Sequence, residues 1–357
     1  MEGQRIVFVA PRQARLASFE VPRPGPGQVL VRTTRTLVSA GTELKAYLGS
    51  EHGAGGRYPR MPGYSHVGVV EEVGEGVASV RPGDRVATIK GHASHVLLTV
   101  GTGDTRAEHP RQPAAMGAAD GPADAREWLQ LVPPGVSDEQ AAFAVLGSVA
   151  LHGVRKAAFR LDESCVLVGQ GVVGQLAGQL ARLNGARPVI GMDLDQQRLE
   201  KSRQSGIDAQ VLVDGDPAAA EAQVMALTGG HGVDVGIDCT AATHAFPGLL
   251  RLAAMEGRIV ILGSLLGTVE ISLYEEIQLK ELTIIGAHQP KAPVVHHPTN
   301  PWTQAANRQT VLELIAAGRL RVDHLISHIA PAREAPALYE LMGSGPRGWL
   351  ATIFRWD

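Results

Sequence analysis

Cysteine is nearly absent: 357 residues contain only Cys165 and Cys239. Both fall in apolar, strand-like runs, where a buried reduced thiol is the expected state and a disulfide framework is excluded. Charged residues make up 19% and the formal net charge is −3, so the chain lacks both a basic surface for nucleic acid and the charge blocks of a disordered tail. No apolar run approaches the roughly 18 residues that read as a membrane span. The opening MEGQRIVFVAPRQ has no signal-peptide apolar core. These absences lead to the expectation of a soluble, cytoplasmic globular protein without nucleic-acid or membrane partners. Hydrophobic residues make up 44% of the chain, and its length allows two domains, each with its own core.

The most informative stretch is SCVLVGQGVVGQLAGQLARLNGARPVIGMD, 164–193. The apolar run 165–168 predicts a buried strand. It meets Gly169, Gly171 and Gly174 in G-x-G-x-x-G spacing, and Val173, Leu176, Ala177, Leu180 and Leu183 then recur at helical intervals. In a dinucleotide site the first glycine permits the turn, the second lets backbone approach the pyrophosphate, and the third lets helix pack on strand. Val172 and Val173 open the helix whose N-terminal N–H groups would face the phosphates. A second strand, 188–192, ends in Asp193, 19 residues after Gly174. A carboxylate there receives the ribose 2′-hydroxyl of NAD and repels the 2′-phosphate of NADP, so NAD is the expected cofactor.

Up to residue 150 the chain carries short strand signals at 6–10, 29–38, 67–73, 84–90 and 94–100, with Pro/Gly turns between them, predicting a β-rich domain. Residues 101–125 are small, polar and aperiodic, the composition of an exposed loop or lid. From 151 to 287, strand candidates at 164–168, 188–192, 211–213, 233–238, 258–262 and 282–286 alternate with helical intervals, the rhythm of a six-stranded doubly wound parallel sheet. Helices are expected at 304–317 and 334–342, followed by a strand at 349–354 that returns to the first domain's sheet.

The order of SAGTELKAY (39–47), MPGYSHVGVVEEVGEGV (61–77), VRPGDRV (80–86), AAFAVLGSVALHGV (141–154), VLVGQGVVGQLA (166–177) and AAGRLRVDHLISH (316–328) resembles the medium-chain dehydrogenase/reductase superfamily of zinc alcohol and polyol dehydrogenases. The phrases SAGTEL, GYSHVG, GHASHVLL and GAHQPKAP are most similar to its bacteriochlorophyllide dehydrogenase branch. The resemblance implies a Rossmann domain, 151–287, inserted into a GroES-like β-rich catalytic domain, 1–150 and 288–357. It also implies a homodimer paired through the strand near 282–286, and a small-molecule substrate such as a polar ring alcohol or ketone.

The departures concern metal. Where zinc members carry a Cys, a His-Glu pair and a third ligand, this chain carries Ala40, Tyr64, Ser65 and, near the third, Val145. Alanine and valine cannot ligate zinc. The family's structural zinc lobe needs four clustered cysteines. His296–His297 and the pair His92 and His95 lack a third ligand, so no functional metal is expected.

Without zinc, either a protein acid serves an alcohol or ketone, or the substrate is a conjugated enone whose developing enolate needs only hydrogen-bond donors. Candidate catalytic groups are Tyr64 as donor, Thr42 at the family's relay hydroxyl, Lys45 at its relay histidine, and Ser65 and His66 beside them; each also has a plain packing or solvated reading. Glu43 stands where the family has an Asp paired with arginine. On the cofactor side, strand ends place Cys239, Thr240, Gly263, Ser264, Ala287 and His288 at the nucleotide edge, or in strand-end packing. The leading expectation is an NAD(H)-dependent, zinc-independent oxidoreductase of a cyclic secondary alcohol or ketone. Enone reduction and a non-catalytic nucleotide-binding protein are the alternatives.

Overall fold

A computed structural model describes residues 1–50, 57–100, 128–293 and 300–356. The aperiodic stretch 101–125, expected as an exposed loop or lid, and His296–His297 lie outside these residues. The chain divides into two compact units: Met1–Val145 with Pro290–Pro346 and Ala351–Asp357, and Leu146–Gln289 with Arg347–Leu350.

The first unit contains the hairpin β1 (Glu2–Ala10) and β2 (Gln13–Glu20), then β3 (Gln28–Leu37), β4 (His66–Val73), β5 (Arg85–Thr88), β6 (His95–Thr99) and β7 (Leu129–Leu131). Antiparallel pairing of β3 with β4 sets Val31 opposite Val70 and Val29 opposite Val73. These valines join Val86, Val96 and Leu98 in one buried cluster. Each such side chain contributes roughly 1.5–3 kcal/mol on burial. The helix Ala40–Leu48 follows β3 and ends at Gly49, whose φ of 78° closes its last turn.

In the second unit β8 (Cys165–Val168), β9 (Val189–Asp193), β10 (Ala209–Leu212), β11 (Val233–Asp238), β12 (Ala253–Ile261) and β13 (Thr283–Gly286) form a parallel sheet in the order β10-β9-β8-β11-β12-β13. The central strands β8, β9 and β11 read as continuous apolar runs because both faces are covered. Val166, Ile190, Val211, Val233 and Ile259 lie in one core with helix residues such as Val224 and Leu249. The order reverses between β8 and β11, and at such a switch point the strand ends leave a crevice for ligands.

The chain then returns to the first unit with the helix Gln304–Ala316, β14 (Ile326–Pro331), the helix Ala335–Gly343 and β15 (Ala351–Arg355). β15 pairs antiparallel with β3 and parallel with β14. The expected strand at 349–354 therefore starts later, because Arg347–Leu350 group with the second unit. There the Gly348 N–H donates to Asp195 Oδ2 at 2.6 Å, and Lys201 Nζ donates to the Gly348 carbonyl at 2.8 Å.

Candidate active site

In the second unit, Gly169 has φ 93°, which only glycine adopts freely, and a Cβ there would come within 2.9 Å of Thr240 Cγ2. A Cβ on Gly174 would overlap the Gly169 carbonyl oxygen, so the third glycine seats the helix Val172–Leu183 on the turn. Gly171 differs: a Cβ there meets nothing within 4 Å. It is the N-cap, in extended conformation and without a side-chain cap hydrogen bond. An uncapped helix N-terminus beside an open glycine suits a pyrophosphate, and Val172 and Val173 form its half-buried first turn.

Asp193 lies at the end of β9, half-buried. Its Oδ2 accepts the Gln170 N–H at 2.6 Å and its Oδ1 the Asp195 N–H at 2.8 Å, tying the strand end to the glycine turn. Each oxygen keeps a further lone pair for a ribose hydroxyl. Sequence reading missed Gln170, Gln175 and Asp195. Gln175 Nε2 donates to the Gln170 carbonyl at 2.9 Å, and Asp195 caps the next helix. Against burial, which pulls it up, the N–H groups of Gly348, Arg198 and Gln197 hold the Asp195 carboxyl below its ordinary range.

The other cofactor candidates divide. The Thr240 hydroxyl donates to Asp238 Oδ1 at 2.8 Å and accepts the Ala242 N–H at 3.0 Å, so it closes a turn rather than facing a ligand. A Cβ on Gly263 would overlap the Thr240 carbonyl. Cys239 packs against the glycine turn, and burial, then the nearby Asp238 charge and Cys165, push its thiol well up. Ala287 is buried, its N–H donating to Ile261 O at 2.9 Å, while Ser264 and His288 are exposed. His288 shares its surroundings with His152, which no sequence signal marked. Burial, then Lys156, His288 and Arg155, lower His152 to about 4.

In the first unit the helix Ala40–Leu48 and the turn before β4 bring together three hydroxyls. The Tyr64 phenol bonds to Ser39 Oγ and lies 3.2 Å from Thr42 Oγ1. Burial raises the phenol above its ordinary value, the Ser39 and Thr42 hydrogen bonds oppose this, and the Glu43 charge adds to it. Thr42 is exposed, so the hydroxyl chain reaches solvent. Lys45, one turn further on, is half-buried and lowered by that burial. Ser65 is 1% exposed and its Oγ has no hydrogen-bond partner among the described residues, so it retains a hydroxyl to donate.

Two expectations are corrected. His66 does not face a ligand: it is 1% exposed, with Nε2 at 2.8 Å from Thr33 Oγ1 and Nδ1 at 2.9 Å from Thr88 Oγ1. Thr33 gives its own proton to the Ala93 carbonyl, so Nε2 carries the ring proton and Nδ1 accepts. Burial, then the Lys90 and His92 charges, lower His66 to about 3. Glu43 pairs with no arginine among the described residues; His92 Nε2 at 2.9 Å and the Tyr339 hydroxyl at 2.5 Å donate to it. His95 lies 3.3 Å from Glu71. At the metal-ligand positions of zinc relatives, Ala40 and Val145 offer no donor atom, and among the described residues no three His, Cys, Asp or Glu side chains are grouped to hold a metal. These residues do not fit the zinc relatives' ligand set.

Comparison with known proteins agrees with this architecture. "Alcohol dehydrogenase GroES-like domain" matches residues 25–119 and "Zinc-binding dehydrogenase" matches 172–307. The erythritol/L-threitol dehydrogenase of Mycolicibacterium smegmatis is 28% identical over 363 residues, covering 96% of this chain and 94% of its own. A putative zinc-binding dehydrogenase of Sinorhizobium meliloti bound to NADP superposes with a TM-score of 0.76 at 22% identity, over 99% of each chain. An Escherichia coli alcohol dehydrogenase complexed with NADH gives 0.78 at 19% identity, again over 99% of each. With a GroES-like unit, a six-stranded Rossmann unit and dehydrogenase relatives along nearly its whole length, the chain belongs to the medium-chain, zinc-type alcohol dehydrogenase superfamily.

Proposed function

We propose that this protein is an NAD(H)-dependent dehydrogenase of a polar, cyclic secondary alcohol or the matching ketone, working without catalytic zinc and closest to the bacteriochlorophyllide dehydrogenase-like branch. The observation that carries this is the Ser39–Tyr64–Thr42 hydroxyl chain, built on the segments where zinc relatives place their ligands. Polyol relatives such as the erythritol/L-threitol enzyme support a hydroxyl-bearing substrate.

Bound nicotinamide would supply or accept the hydride. Gly169, Gly171, Gly174 and the first turn at Val172 and Val173 would hold the pyrophosphate, and Asp193 the ribose. Residues 1–150 and 288–357 would form the catalytic domain and 151–287 the cofactor domain. Tyr64 then donates a proton or hydrogen bond to the substrate oxygen in reduction and accepts it in oxidation, with Thr42 linking it to solvent and Lys45 supplying positive charge one turn away. A phenol raised by burial stays protonated through the neutral range, the state a donor requires. The unpartnered Ser65 hydroxyl would give a second donor to the same oxygen. We further propose a cytoplasmic homodimer paired through β13, whose Ile284 is 37% exposed.

The test combines metal analysis with a substrate panel. Purified protein with no stoichiometric zinc that oxidises NADH with cyclic ketones is the expected result; stoichiometric zinc refutes the mechanism. Turnover of cyclic enones alone identifies a carbon–carbon double-bond reductase, and NADH binding without turnover a non-catalytic binder. Tyr64→Phe should lower turnover by roughly 10²–10⁴ while leaving the NADH Kd unchanged.

A further inference from the structure

The core of the first unit contains a polar network that lies outside this proton path. Glu43 is 3% exposed and accepts three hydrogen bonds: from the Ser39 backbone N–H at 2.7 Å, His92 Nε2 at 2.9 Å and the Tyr339 hydroxyl. Among the described residues it forms no ion pair with lysine or arginine. A buried carboxylate so held is a poor source of stability compared with apolar packing. A fully hydrogen-bonded network instead fixes geometry.

Two contacts lead from this carboxylate to Tyr64. Ser39, whose N–H it holds, presents its Oγ to the phenol. His92 lies against the turn that carries the phenol: its N–H donates to Pro62 O at 3.2 Å, and a Cβ on Gly63 would come within 2.7 Å of its ring. Gly63 has φ 94° and directly precedes Tyr64. Aromatic rings lie beside the network. The Tyr339 ring meets Phe8 edge-on at 4.8 Å, and His92 meets Phe354 at 5.4 Å.

We propose that Glu43, His92 and Tyr339 are positioning residues for the Tyr64 phenol, acting on its hydroxyl through Ser39 and on its backbone through the His92–Gly63 contact. This rests on Tyr64 being the donor to the substrate. With Ser39 anchored, its Oγ accepts from the phenol hydroxyl and fixes where that hydroxyl sits beside Thr42.

Ultraviolet titration of the Tyr64 phenol in the full chain with NADH bound, with a Tyr64→Phe protein subtracted, tests this without knowledge of the substrate. Glu43→Gln removes the charge while its amide oxygen can still accept the Ser39 N–H, so the phenol should titrate about one pH unit lower. His92→Gln keeps an N–H donor and should titrate like the parent, whereas His92→Leu keeps the Glu43 charge and loosens Ser39 and the turn, so its phenol should titrate higher than the parent's. Phe8→Leu disturbs only the aromatic packing; it should lower Tm and leave the titration unchanged. Folded Glu43→Gln and His92→Leu proteins with the parent's titration overturn the proposal, as does a Phe8→Leu shift of equal size. If Glu43→Gln does not fold, the contrast between the two His92 variants decides. A Tyr64→Phe protein with full turnover refutes the substrate role of Tyr64 and leaves the titration result standing.

Discussion

Gly171→Ala and Gly174→Ala add the same methyl group three residues apart, and the structure predicts opposite consequences. At position 174 the new carbon falls well under 3.0 Å from the Gly169 carbonyl oxygen, and both sides of that contact are backbone. The helix must lift from the strand, and overpacking of this kind costs about 1–3 kcal/mol. For a unit of roughly 150 residues that corresponds to a Tm lower by about 4–12 °C. At position 171 the methyl meets nothing within 4 Å, so Tm should change little, by the few tenths to about 1 kcal/mol of a Gly→Ala N-cap. The open space is instead where a pyrophosphate would approach, so the NADH Kd should rise at least about tenfold, or 1.4 kcal/mol. Thermal melts and fluorescence titration with NADH measure the two quantities separately. If both variants lose stability and affinity in parallel, or if Gly171→Ala binds NADH normally, the open face at Gly171 is not the phosphate seat.

The Asp193 carboxylate facing a 2′-phosphate implies a repulsion of about 1–4 kcal/mol, depending on local screening. NADPH should therefore bind at least about fivefold more weakly than NADH, and Asp193→Asn should bring the two Kd values together; equal affinities in the parent protein would rule out the charge as selector. His66, held to about 3 when folded, is neutral where an unfolded histidine takes up a proton below about 6.5. Its contribution to stability is complete above pH 6.5 and falls by about 1.4 kcal/mol per pH unit as pH drops toward 3. Unfolding free energies below pH 6.5 should carry this slope in the parent, and His66→Gln should reduce the total by that amount while His152, lowered to about 4, keeps its own share; an unchanged slope would refute the assignment.

What the sequence made legible was local. The glycine spacing, the apolar runs and the acid at the end of β9 lie within 30 residues, and the sheet order follows from their alternation with helices. β2, β7 and β14 escaped because they are short or half-exposed: β2 alternates irregularly through Gln13–Glu20, and β14 leaves Ile329 46% exposed. The role of His66 is set across strands. Thr88 is its direct partner on β5 and Thr33 lies on β3, so only the pairing of three strands shows that both ring nitrogens are engaged. Glu43 finds its partners 49 and 296 positions away, at His92 and Tyr339, and an arginine expected from relatives gives no hint of either. Tyr64 and Thr42, by contrast, were found from their motif positions, because helix and turn bring them together over only 22 residues.

The short return of the chain at Arg347–Leu350 bears on how this protein can be dissected. A polypeptide cut at 146 and 289 would contain all six Rossmann strands and the glycine turn, yet it would lack Gly348. Asp195, two residues beyond Asp193, would lose an N–H donor, and Lys201 the carbonyl it reaches. The Rossmann unit is therefore not a self-contained cassette: one of its tie points, Gly348, is encoded 62 residues after its last strand ends at Gly286, and domain shuffling that respects only the contiguous Rossmann stretch would leave that tie point behind.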